Sequence, residues 1–187
     1  MNRKTTFQMP TGYWDEALFI ADGIQVDRAR DGSKPKWGQE KERTKGDNRT
    51  GVIGEFCLRW AYGMPMWDRS SYPPFKERNN GDVGENCEVR GTFTAKGKLL
   101  LHTDKDALPP FLTRDYALVI LGHDGRFRLP GWLPMPVAIT EWFDFNPQGD
   151  RPCKAVRQER LWPIMHLTIK ENGVKYRMRV DLLGRKE

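Results

Sequence analysis

The sequence predicts a mixed domain, α/β or α+β, with a central mixed β-sheet of about five strands flanked by helices. Three observations carry this: an apolar stripe at helical spacing near residue 55, a series of short strand-like runs between residues 87 and 129, and a return to helical spacing after residue 135. The 187 residues suit a single domain, and seven Trp and nine Phe supply apolar bulk to a chain that is 30 % charged.

Taken in order, the first helix is expected over Trp14–Asp22, where Trp14, Leu18 and Ala21 share a face. Residues 31–50 form a polar segment with six basic and four acidic residues and one large apolar group, Trp37. It reads as a mobile loop, either an inert solvated one or a lid that grips a strand. Ile53, Phe56, Cys57 and Trp60 then make an i, i+3, i+4, i+7 stripe ended by Gly63 and Pro65, which predicts a helix with one buried face. Glu55 borders that stripe, from where it could reach a cleft.

Residues 63–81 read as coil. Cys87–Phe93 alternates, Leu99–His102 is a short apolar run, and Tyr116–Leu121 is apolar throughout, as in a strand covered on both faces. The turn Gly122-His123-Asp124-Gly125 sends the chain back as a further strand, Arg126–Leu129. Met135–Phe143 predicts a short helix, Arg160–His166 a weaker one interrupted by Pro163, and Val174–Val180 a strand with its basic face outward.

The formal net charge is +6, and the surplus is concentrated in residues 154–187, read as a basic C-terminal extension. Such a balance favours polyanionic partners. No apolar run approaches the length of a membrane span, and the opening residues lack the apolar core of a secretion signal, so a cytoplasmic protein with no membrane partner is expected. Cys57, Cys87 and Cys153 form no CxxC pair; free thiols in a reducing compartment are the simpler reading and a zinc site the poorer one.

The stretch with chemical content is Asp82-Val83-Gly84-Glu85-Asn86-Cys87-Glu88-Val89-Arg90. On a strand, Glu88 and Arg90 project from one face while Cys87 and Val89 project from the other. Asp82 lies just upstream beside Gly84 and can fold next to Glu88, and Glu55 can approach from the preceding helix. Carboxylates meeting at one end of a sheet suit Mg²⁺ or Mn²⁺, which take oxygen ligands. The neighbouring cation would stabilise charge developing on a phosphodiester.

These residues resemble the PD-(D/E)XK nuclease superfamily: Asp82, then Glu88-Val89-Arg90 on a strand, after a helix opening Gly51-x-x-Gly54-Glu55. The later segments Tyr116–Leu121 and Arg126–Leu129, leading to Gly131-Trp132, resemble small nuclease-like proteins of tailed phages. The resemblance covers roughly residues 50–145. It implies a restriction-endonuclease-like fold and a metal-dependent nuclease that hydrolyses DNA, with DNA favoured over RNA. It implies catalytic roles for Asp82, Glu88 and Arg90, and an Mg²⁺ or Mn²⁺ held by Glu55, Asp82, Glu88 and the carbonyl of Val89. It leaves room for a homodimer. Two departures stand out: Arg90 where the motif has lysine, and Gly81 where it has proline. Arginine stays charged and cannot act as a base.

Lys41, Arg43, Lys45 and Arg49 in the polar segment, with Lys175, Arg177 and Arg179 in the tail, are the candidate contacts to nucleic acid. Other readings of the same residues stay open. Glu88 and Arg90 also read as an ion pair on an exposed strand with Asp82 capping a turn, and Glu55 as a first-turn acid favoured by the helix dipole. The tail also reads as a solvated strand face. The chain as a whole also reads as a catalytically silent nucleic-acid-binding protein, or as a phage structural or interaction protein.

Overall fold

In the computed structural model, residues 5–30, 41–72, 81–101, 112–146, 153–179 and 181 are described. They form an α+β domain built around a mixed sheet of β1 (Thr6–Gln8), β5 (Arg126–Pro134), β4 (Asp115–Leu121) and β2 (Cys87–Thr92), in that order. β2 runs parallel to β4, while β4 with β5 and β1 with β5 are antiparallel. α1 (Thr11–Arg30) and α2 (Lys41–Ala61) cover one face. The other face carries α3 (Met135–Glu141) and a second sheet, β3 (Leu99–Leu101), β7 (Cys153–Val156) and β6 (Phe143–Phe145). A hairpin, β8 (Ile169–Glu171) with β9 (Val174–Tyr176), completes the fold.

Strand alternation divides the core in two. Cys87, Val89, Ala117, Val119 and Leu121 pack toward Ile53, Phe56 and Cys57 of α2. Tyr116, Leu118, Ile120 and Leu133 pack toward Leu99, Leu101, Met135 and Val156. An unbroken apolar β4 is what a strand buried on both faces requires.

Several expectations are corrected. The central sheet has four strands, because Leu99–Leu101 pairs instead with β7. β5 continues through Pro130-Gly131: the register slips between Leu118 and Ile120, and this bulge accommodates a proline that has no amide to donate. Residues 41–50, expected as loop, are the first half of α2. Extending a helix already nucleated by a buried half costs little, and Lys, Glu and Arg favour it. Residues 31–40 lie outside the described residues. Val174–Val180 shortens to β9, and Arg160–His166 becomes two 3₁₀ turns, Gln158–Arg160 and Ile164–His166, separated by Pro163. The segment from residue 153 is built into the body through β7, β8 and β9 rather than appended to it. Among the described residues no helix is long and apolar enough to cross a membrane.

Candidate active site

α2 approaches β2 so closely that side chains are excluded between them. A Cβ on Gly91 would strike the Thr50 carbonyl, and one on Gly54 would lie 3.3 Å from Val89 and 3.4 Å from the Gly91 backbone. With Val89 committed to that interface, Glu88 and Arg90 must project to the opposite face, beside Tyr116.

Asp82 is delivered by a tight turn. The Val83 amide donates to the Cys87 carbonyl at 2.9 Å, and Gly84 takes φ +63°, where a side chain would collide with the Lys170 carbonyl. Gly81 likewise has no room: a Cβ there would sit 2.5 Å from the Cys87 carbonyl oxygen, which explains the glycine where a proline was expected from the resemblance. The β8–β9 hairpin fastens this turn. The Glu85 amide donates to Lys170 O (2.7 Å), the Lys170 amide to Asn86 Oδ1 (2.9 Å), and the Asn172 amide to Glu85 Oε1 (2.9 Å). Asn86 also donates to Asp115 Oδ2 (2.7 Å). From α2, Arg59 holds the hairpin through Glu171 (2.6 and 3.0 Å).

The result brings Asp82 and Glu88 together around Arg90. Asp82 Oδ2 accepts from the Val89 amide (3.0 Å) and from Arg90 Nη1 (3.3 Å). Arg90 Nη1 also donates to the Val89 carbonyl (3.0 Å), and Nη2 lies 3.5 Å from Glu88 Oε2. Three oxygens of different origin thus surround one guanidinium. Arg90 Nε reaches Leu100 O of β3 at 3.3 Å. The ion pair between Glu88 and Arg90 is therefore present, but in a walled site rather than on an exposed strand.

Glu88 is 4 % exposed and is paired by a second arginine, Arg114, whose Nη1 donates to Oε1. Burial and the charge of Asp82 push the Glu88 carboxyl up from 4.5 to about 7, against the opposing pull of Arg90 and Arg114. Two buried side-chain atoms among the described residues have no hydrogen-bond partner, Arg90 Nη2 and Tyr116 Oη. Both belong to this cluster and have donor capacity to spare there. The set of two carboxylates and a carbonyl is wholly oxygen, the donor type that Mg²⁺ and Mn²⁺ take.

Glu55 does not complete a triad. It is 5 % exposed on α2 and accepts from Tyr72 Oη at 3.0 Å. Among the described residues, no three His, Cys, Asp or Glu side chains gather closely enough to hold a metal. Its neighbour Gly54 is pressed on the far side of β2 from Glu88, which accounts for the separation.

Of the candidate nucleic-acid contacts, the side chains of Arg49, Lys175, Arg177 and Arg179 are described. Arg49 forms a bidentate pair with Asp22 of α1 (2.9 and 3.0 Å). Arg179 pairs with Asp181 and lies over the Trp60 ring. Lys175 is on β9 and Arg177 just beyond it, both exposed. Lys41, Arg43 and Lys45 fall on the opening turns of α2, and their side chains lie outside the described residues.

Arg114 and Tyr116 are the residues that sequence reasoning missed. Arg114 stands one residue before a strand that pairs in parallel with β2, so that Glu88 faces Tyr116, but nothing in the linear sequence specifies this register. No family model, curated protein or solved structure matches the chain.

Proposed function

We propose that this chain is a metal-dependent nuclease that hydrolyses DNA phosphodiesters, of the PD-(D/E)XK type. The observation that supports it is the convergence of Asp82 Oδ2, Glu88 Oε2 and the Val89 carbonyl on one cationic group. Mg²⁺ or Mn²⁺ would be held by these three oxygens, with the Arg90 guanidinium moved aside. Such an ion polarises a phosphodiester and makes water a competent nucleophile near neutral pH. Two carboxylates suffice, because Mg²⁺ keeps several waters and shares phosphate oxygens of its substrate.

The protein's own groups then have distinct tasks. Arg90, released from the carboxylates, offers permanent positive charge to the phosphate as negative charge builds on it. Arg114 keeps Glu88 oriented, and the Tyr116 hydroxyl has a hydrogen bond to give within the same enclosure. Incubation with DNA and Mn²⁺ or Mg²⁺ tests this. Cleavage that falls at least a hundredfold in Asp82→Asn and Glu88→Gln, with loss of Mn²⁺-induced thermal stabilisation, is expected; cleavage indifferent to both changes would refute it.

One observation favours a second reading, a silent nucleic-acid-binding protein: the two carboxylates are already balanced by two arginines. Under that reading Mn²⁺ leaves the melting temperature unchanged and DNA is bound uncut.

A further inference from the structure

A basic hollow lies at the end of the second sheet. Ala95, Lys96, Lys98, Arg157, Gln158 and Glu159 line a cavity of about 330 Å³. Among the described residues, Lys96, Lys98 and Arg157 have no carboxylate partner, although surface cations elsewhere in the fold do, such as Lys154 with Asp144 and Arg126 with Asp124. Glu159 is the one acid in the lining. Lys98 Nζ sits 4.3 Å from the centre of the Phe145 ring and Arg157 Cζ 5.3 Å from that of Phe143. The two rings meet edge to face at 6.0 Å.

The frame is held in shape without a ligand. Gln158 Nε2 donates to both Ala95 O (3.1 Å) and Gly97 O (2.7 Å), and Arg128 caps Ala95 O from β5 at 3.0 Å. A backbone frame set in advance loses little freedom on binding. The hollow lies near the carboxylate centre along the chain: Lys98 immediately precedes β3, and the Leu100 carbonyl of β3 accepts from Arg90. Two residues along a strand advance about 7 Å, comparable to the spacing of successive phosphates in an extended chain.

We propose that this hollow binds the backbone of a single DNA strand next to the point of cleavage, with Lys96, Lys98 and Arg157 on phosphates and the Phe143–Phe145 pair beside a base. This rests on the nuclease reading and names its substrate as single-stranded. The hollow, about 330 Å³ and lined by a few side chains, is on the scale of single nucleotide units. Cations interleaved with aromatic rings are how sequence-tolerant strand binding is built.

The test is fluorescence anisotropy with a labelled oligothymidine in chelator, so that binding is read without cutting, across a series of salt concentrations. In the Lys98→Glu/Arg157→Glu double variant affinity should fall at least tenfold. The slope of log K against log salt should flatten by roughly 1.4, about 0.7 for each lost phosphate contact. Lys170→Glu, which reverses a charge on the β8–β9 hairpin, should bind as the parent does. An unchanged melting temperature in the double variant shows that it folds; if it does not, Lys96→Ala/Lys98→Ala takes its place, with a smaller loss of the same sign. Equal binding by a folded variant, an unaltered salt slope, tighter binding to duplex than to single strands, or no binding by the parent would overturn the proposal. Incubation of the parent with single-stranded DNA and Mn²⁺ separates the two readings: if the parent binds through the hollow but cleaves nothing, the nuclease reading falls and the strand site stands. If the parent cleaves and the double variant binds normally, the reverse holds.

Discussion

Glu88 is the residue on which the proposed chemistry turns, because it is buried, carries a raised pKa and touches two arginines. Removing Arg114 leaves that carboxylate with one partner and Asp82 as a neighbour. Arg114→Ala should therefore destabilise the protein by about 3 kcal/mol, measured by chemical denaturation. It should also lower cleavage or Mn²⁺ affinity by roughly 10- to 100-fold, as loss of a ligand's supporting contact does. The pH dependence has a definite sign. A carboxyl that titrates near 7 when folded and near 4.5 when unfolded retains protons in the folded state across that interval, so stability declines as pH rises through it. In chelator, thermal melts between pH 5 and 7 should show a loss of at most about 3 kcal/mol that Glu88→Gln removes. Asp82, Glu88 and Arg90 were legible as a cluster because all three lie within nine residues and strand alternation sets their faces. Arg114 was not, since its position depends on a parallel pairing whose partner lies 26 residues away.

Among the elements, α2 and β2 make the critical contact, and their glycines differ in kind. A methyl group at Gly51 meets nothing within 4 Å, whereas at Gly91 it would strike the Thr50 carbonyl. Gly51→Ala should stabilise the chain by roughly 0.5–1 kcal/mol, by removing a flexible residue from a helix interior. Gly91→Ala should destabilise it by about 2 kcal/mol and push α2 off the sheet; differential scanning calorimetry of the pair checks both signs. Apolar periodicity located the buried half of α2, all of β4 and the start of β5. It was blind to β1, whose three residues contain one apolar side chain and depend on β5 for their pairing. The β8–β9 hairpin did carry a local sign: Asn172 at φ 50° and Gly173 at φ 77° are the residues that a tight two-residue hairpin demands.

At the scale of the whole molecule, the last hairpin and the Asp82 turn are one mechanical unit although more than eighty residues separate them. Asn86 joins them while touching none of the reacting groups. Asn86→Ala should reduce Mn²⁺-dependent stabilisation about tenfold in apparent affinity while leaving oligonucleotide binding in chelator intact, a split that titration calorimetry and anisotropy together would register.

This coupling has a bearing on how the protein is made. While the polypeptide is still being translated, residues 81–90 emerge long before 168–173, so Glu85 and Asn86 find no backbone to grip and the Asp82 turn has only its own short-range hydrogen bonds. On the proposed nuclease reading, the carboxylate site would be held in its final shape only once that closing hairpin has been synthesised.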